Sequence, residues 1–207
     1  DIDANNQKSY TEYMDIINSN IDKDMNIYYL SHDPAECATM HSDRHVDEMC
    51  LEYATILSTV HWVTDGIEWK GTTLQGVDIS TWVHPDPTIQ QFLYKATGSN
   101  SAVVKWAGMN VNNYQWLCAL WTNMCTEYFK RYGKVNSTIQ ELYPLMIWHP
   151  ATMGEGVFEP PPVLVDADCV VDDPIESYRN HYVKNLYGRN GWEMGTPTPE
   201  WYNHAEL

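Results

Sequence analysis

The chain has 207 residues, 43% of them hydrophobic and 13% aromatic, which is enough for one well-buried domain and argues against intrinsic disorder. No apolar run approaches the roughly 18 residues of a membrane span, so no membrane partner is expected, and the polar, acidic start of the chain carries no signal-peptide pattern. The formal net charge of −16 sets up a long-range field that opposes a polyanion. That charge is uneven. Residues 87–147 hold only Glu127 and Glu141 against Lys95, Lys105, Lys130, Arg131 and Lys134, so the middle of the chain is locally basic. The five cysteines are odd in number and lack metal-type pairing, which fits reduced core residues of an intracellular protein.

In chain order, residues 1–24 form an acidic amino-terminal extension, helical at best from about Lys8 to Ile21, ahead of a Met25 that resembles an older start. Asn26-Ile-Tyr-Tyr-Leu30 is short, apolar and β-prone, and predicts a buried strand or extended segment. Ser31-His-Asp-Pro34 supplies a helix cap followed by Pro in the first turn. Helix is predicted from about Pro34 to about Val63, with a break near His41. Residues 64–86, with Gly66, Gly71, Gly76 and Pro85, predict a loop or irregular hairpin. Helical pattern returns at Thr88–Ala96 and Ser101–Ala107. It is clearest from Asn112 to Tyr132, where Tyr114, Leu117, Cys118, Trp121, Met124, Cys125, Tyr128 and Tyr132 recur every three or four residues and Gly133 follows as a cap. Its aromatic stripe fits packing better than base stacking. Ser137–Met146 is a further short helix, the proline-rich stretch from Pro150 to Pro174 is loop, Ile175–Leu186 is helical, and the chain then runs irregularly to its end.

The most informative stretch is Ser42-Asp-Arg-His-Val-Asp-Glu-Met-Cys-Leu-Glu52. His45 and Glu52 are separated by almost two helical turns and share a face, with His41 one turn before and Glu48 between them. Val46, Met49 or Cys50, Tyr53, Leu57 and Val60 mark the opposite, core-facing side, so the ionisable stripe flanks a packed seam and is expected to form the wall of a cleft. His41 and His45 also have the i, i+4 spacing of a helical zinc pair. Ser42 stands where that motif places Glu, and no third ligand is marked, so no metal is expected there.

Met25-Asn-Ile-Tyr-Tyr-Leu30, the Ser42–Glu52 stretch, Tyr94-Lys-Ala-Thr97 with Trp106, Asn113-Tyr-Gln-Trp-Leu117 and Glu127-Tyr-Phe-Lys-Arg-Tyr-Gly-Lys134 together resemble a group of small phage proteins. More distantly they resemble the phage pyrimidine-dimer DNA glycosylases of the endonuclease V type. The resemblance spans roughly residues 25–203. It implies a single, mainly α, compact domain over residues 25–207, with a short amino-terminal extended segment threading between helices and long irregular loops. It further implies base excision, in which a carboxylate stabilises the cationic sugar as the glycosidic bond breaks, an amine captures C1′, and the base is turned out of a kinked duplex. Glu52 is then the catalytic carboxylate and His45 orients it or the substrate. His41, Arg44, Lys95, Lys105, Arg179 and Lys184 are the candidate DNA contacts; no cofactor is expected. The implied setting is a phage-encoded protein in the host cytoplasm or the virion.

This chain departs from that pattern at several points. The dimer glycosylases use the amino group of a small residue uncovered by Met removal, whereas the matching position here, next to Met25, follows 24 further residues. Gly98-Ser-Asn-Ser-Ala102 stands where the phage group carries two histidines, and Glu48 where it carries Lys. Two functions are therefore carried forward. One is a glycosylase of damaged or modified pyrimidines in duplex DNA, monofunctional if Glu52 activates water. The other is a non-catalytic acidic phage protein that reuses the fold to bind a basic protein or other phage proteins, as a structural component or inhibitor.

Overall fold

Short polar side chains at the chain's turns accept from the first free N–H groups of most helices. Asp33 Oδ1 accepts from Ala35 and Glu36 N–H, both at 2.8 Å, and with Pro34 opens α1 (Pro34–Met40). The backbone is extended at His41 and Ser42, and the Ser42 hydroxyl caps α2 (Asp43–Asp65). An antiparallel hairpin follows, β1 (Ile67–Thr72) and β2 (Asp78–Val83), registered Ile67 to Val83 through Thr72 to Asp78. Next come α3 (Pro87–Gln90), α4 (Ala102–Ala107) and α5 (Val111–Tyr132), the last capped by Asn110 and closed by Gly133 at φ 65°. The chain continues through α6 (Ser137–Met146), a 3-10 turn (Ala167–Cys169), α7 (Pro174–Leu186) and α8 (Glu200–Asn203). The structure, a computed structural model, describes residues 25–186 and 191–203; the expected acidic extension lies outside them. The fold is mainly α, with one two-stranded sheet among the described residues. Among the described residues, no helix is long and apolar enough to cross a membrane.

The helix expected over Thr88–Ala96 ends instead at Gln90. Beyond it the Tyr94 carbonyl accepts from Trp62 Nε1–H at 2.7 Å, and Leu93 and Tyr94 pack on the core. A bond to α2 has replaced a weak local helical preference.

α5 is central. Tyr114, Leu117, Leu120, Trp121 and Met124 are buried on it and meet Val46, Cys50, Tyr53, Leu57 and Val60 of α2, while α1 crosses α5 and α4 lies on α2. All five cysteines are buried and free.

Residues 25–31 run extended through this helical core without a strand partner. A buried backbone must still find partners, and here side chains supply them. Asn26 N–H donates to Glu52 Oε1 (2.8 Å), Ile27 N–H to Asn26 Oδ1 (2.8 Å), Tyr28 N–H to the Tyr53 hydroxyl (3.3 Å) and Leu30 N–H to Cys37 Sγ (3.3 Å). The Cys37 thiol donates to Tyr28 O and Arg179 donates to Leu30 O. Gly98, at φ 59°, holds a position where a Cβ would lie 2.5 Å from Met25 Sδ, so glycine is required there.

A second buried network closes the α1–α2 junction. The Arg131 side chain, on α5, is fully buried; it donates to Thr39 O (3.0 Å) and His41 O (2.8 Å) and pairs with Asp43 (3.0 Å) and Glu127 (3.4 Å). Asp43 Oδ2 in turn accepts from Glu193 and Met194 N–H, and Thr196 donates to Glu127. Removing one partner from such a network leaves uncompensated buried charge, at a cost of about 3–5 kcal/mol. Arg131→Met is therefore expected to lower unfolding free energy by about that amount, read as a lower urea midpoint at unchanged slope; a loss within about 0.5 kcal/mol, the scale of an ordinary surface substitution, would show that the network is dispensable.

Candidate functional site

The extended segment lies along the face of α2 that carries the ionisable stripe. Asn26 meets Glu52 near the middle of the helix and Tyr28 meets His45 near its start, so the two candidates, about 10 Å apart in helix rise, are bridged by two alternate residues of one strand-like segment.

Glu52 is half-buried. Around its Oε1 contact, Asn26 Nδ2 donates to Leu164 O at 2.8 Å, and the Tyr178 hydroxyl lies 2.7 Å from Asn26 Oδ1 and 2.8 Å from Pro162 O. Asn26 is thus held by α2, α7 and the 162–164 loop at once. Burial raises the Tyr178 phenol well above its usual range, so it is a neutral hydroxyl here.

The histidines differ from the expected open stripe. His41 belongs to neither helix: it caps α1, is fully buried, donates from Nδ1–H to Cys37 O (2.8 Å) and accepts from the Tyr53 hydroxyl at Nε2 (3.2 Å). His45 is on α2 but packed between Tyr28 (ring centroids 4.6 Å) and Tyr182 (5.0 Å), and its Nδ1 has no hydrogen-bond partner. Burial pushes His41 down to about 4 and His45 to about 3, with Arg131 adding to the first effect and His41 and Arg44 to the second. The stripe is therefore roofed by the protein's own segment and aromatic rings, and its half-buried members are Glu52 and Glu48, the latter paired with exposed Arg44 at 2.8 Å.

The candidate DNA contacts are not gathered at Glu52. Arg179 donates to Leu30 O, pairs with Glu176 and lies over the Trp201 ring at 5.5 Å. Lys184 pairs with Asp166 and Asp168. Lys105 is exposed on α4, and Lys95 lines a cleft of about 570 Å³ between the polar side of the hairpin and the 95–101 loop. Neither lysine forms an ion pair among the described residues.

Sequence reasoning missed Asn26, Tyr178 and Tyr182. The two tyrosines were visible as an i, i+4 pair in the predicted last long helix; the role of Asn26 depends on threading that no local pattern encodes.

Because His41 and His45 are neutral when folded and bind protons readily when unfolded, the unfolded state takes up more protons below its ordinary value of about 6.5. Their contribution to stability is complete above that pH and is lost as pH falls toward the folded values, at about 1.4 kcal/mol per unit per histidine. Urea midpoints measured from pH 7.5 to 5 should fall steadily below about pH 6.5; a flat profile over that range would show that the imidazoles are not buried.

Compared with known proteins, the chain matches no protein-family model, no curated protein and no solved structure, so its functional reading stands on the geometry around Glu52.

Proposed function

We propose that the protein is a DNA glycosylase-like enzyme that releases a damaged or modified pyrimidine from duplex DNA by hydrolysis. The observation that carries this reading is the 2.8 Å contact between the Asn26 main-chain nitrogen and Glu52 Oε1. It sets a carboxylate and a backbone nitrogen side by side, one residue beyond Met25, in the relation that the resemblance to the dimer glycosylases implies.

In the present chain that nitrogen is an amide. Its lone pair is delocalised into the carbonyl, so it does not capture C1′ as an imine. Its role is to donate to Glu52 and hold the carboxylate in one orientation. Hydrolysis then needs water as the nucleophile: Glu52 takes a proton from the water as its oxygen attacks C1′, the glycosidic bond breaks, and the base leaves with the bond's electron pair. Asn26, fixed by Tyr178 and Leu164 O, is a positioning residue for Glu52.

The second reading is a non-catalytic acidic protein that engages a basic protein partner. It is favoured by the fate of the candidate contacts: Arg44, Arg179 and Lys184 all pair with acids on a chain of net charge −16. Such a surface gains little from counterion release.

Glu52→Gln preserves shape and can still accept the Asn26 N–H, so it should fold and lose base release by at least about 100-fold, the scale of general-base catalysis. The measurement is abasic-site formation on end-labelled duplexes carrying ultraviolet photoproducts or modified pyrimidines. Product with the wild type and loss in Glu52→Gln supports the enzyme; no product across the lesion panel, with DNA affinity negligible at physiological salt, leaves the binding protein.

A further inference from the structure

At the far end of α2 a second group of side chains converges, nine residues and about 14 Å of helix rise from Glu52. His61 and Asp65 lie one turn apart on α2, and His84 is the first residue after β2. One donor atom from each lies within 4.8 Å of the other two, and His84 Nε2 is 4.0 Å from Asp65 Oδ2. His61 and His84 are 2% and 4% exposed, yet His61 Nδ1 and His84 Nε2 have no hydrogen-bond partner. Buried polar atoms are nearly always paired. Two orphan imidazole nitrogens beside one carboxylate call for a ligand.

We propose that His61 Nδ1, Asp65 and His84 Nε2 bind one divalent metal ion of the zinc type, which closes the base of the β1–β2 hairpin. The outer nitrogen of His61 is already engaged as a metal site requires, and that of His84 has an acceptor within reach. His61 Nε2–H donates to the Tyr114 hydroxyl at 2.9 Å, and that hydroxyl donates to Met146 O at 3.2 Å, leaving Nδ1 as the lone pair. His84 Nδ1 lies 3.2 Å from Asp86 O and 3.1 Å from Asp86 N; metal binding selects the tautomer with Nδ1–H donating to Asp86 O. Asp65 is positioned by Ala151 N–H (2.7 Å), Thr152 N–H (3.0 Å) and the Thr152 hydroxyl (2.5 Å).

Tetrahedral zinc with bonds of about 2.0–2.2 Å sets its donors roughly 3.3–3.6 Å apart, a distance that small side-chain rotations reach from the observed spacing. Two imidazoles with one carboxylate suit zinc and its first-row neighbours, whereas magnesium and calcium take oxygen donors. A fourth position is left for water.

The hairpin explains what the ion does. A two-stranded sheet is marginal alone in water, and this one exposes Ile67, Trp69, Ile79 and Val83 on one side. Asp65 precedes it by two residues and His84 follows it directly, so one ion ties both of its ends to α2.

The test uses the full chain, stripped with chelator and titrated with zinc chloride by calorimetry, then with cobalt as an absorbing substitute. The expected result is one ion per chain, a rise in Tm, tetrahedral cobalt absorption without a thiolate charge-transfer band, and no response to magnesium. Since outer partners alone change affinity by about 10–100-fold, Tyr114→Phe should raise Kd by about tenfold and His84→Ala by more than about 100-fold. Asp65→Asn keeps the acceptor for Thr152 and serves as the variant least prone to misfold; it should weaken binding as His84→Ala does. Asp166→Asn, in the separate Asp166–Cys169–His181 group, should leave Kd unchanged. Absence of zinc binding by the wild type, or affinity lost in Asp166→Asn but kept in Asp65→Asn, overturns the assignment.

Discussion

A buried extended segment that has no sheet to join organises this protein. Residues 25–31 cross a helical core, and each N–H left unpaired there would cost more than an ordinary hydrogen bond returns. Glu52, Tyr53, Cys37 and Arg179 satisfy that backbone from three helices. The helices are thereby fixed relative to one another through the segment, and the same bonds place Glu52 against Asn26. Structure and candidate chemistry depend on one set of contacts, so a substitution there has to be judged for both.

Charge is distributed by a related logic. Arg131 is enclosed by two carbonyls and two carboxylates, and it ties α5 to the α1–α2 turn and to residues 193–196 through Asp43 and Glu127. Lys184 and Arg179 are held by acids on or near α7. A chain with 12 bases against 28 acids thus uses several of its cations as internal cross-links. The local excess of bases between residues 87 and 147 does not become a basic face of equal size, because Arg131 lies inside and Lys130 pairs with Glu127 at 2.7 Å.

The two candidate regions occupy opposite halves of α2 and differ in kind. Near Glu52 the imidazoles are covered by tyrosines and have internal roles. At His61 and His84 they are equally buried, each leaves a ring nitrogen without a partner, and the two residues bring donor atoms within 4.8 Å of each other and of an Asp65 oxygen. Neither burial nor one unpartnered nitrogen distinguishes a core histidine from a ligand, since His45 Nδ1 is unpartnered too; the convergence of a second imidazole and a carboxylate does.

Much of the architecture was legible in the sequence, because it follows from local rules. The 3.6-residue periodicity of Asn112–Tyr132, the capping run Ser31–Pro34 and the closing Gly133 act within a few residues, and the helices form where these signals lie. The His45–Glu52 spacing likewise fixed which face of α2 carries ionisable groups. Local rules failed at Gln91–Ala96, where a bond from Trp62 outweighs weak helical preference. They were silent on what covers a face. Whether the stripe lined an open cleft or lay under Tyr28 and Tyr182, whether Arg131 met solvent or two acids, and whether His84 came within reach of His61 across 23 residues were decided only by tertiary packing, since each depends on segments distant in sequence and on the need of every buried polar atom for a partner.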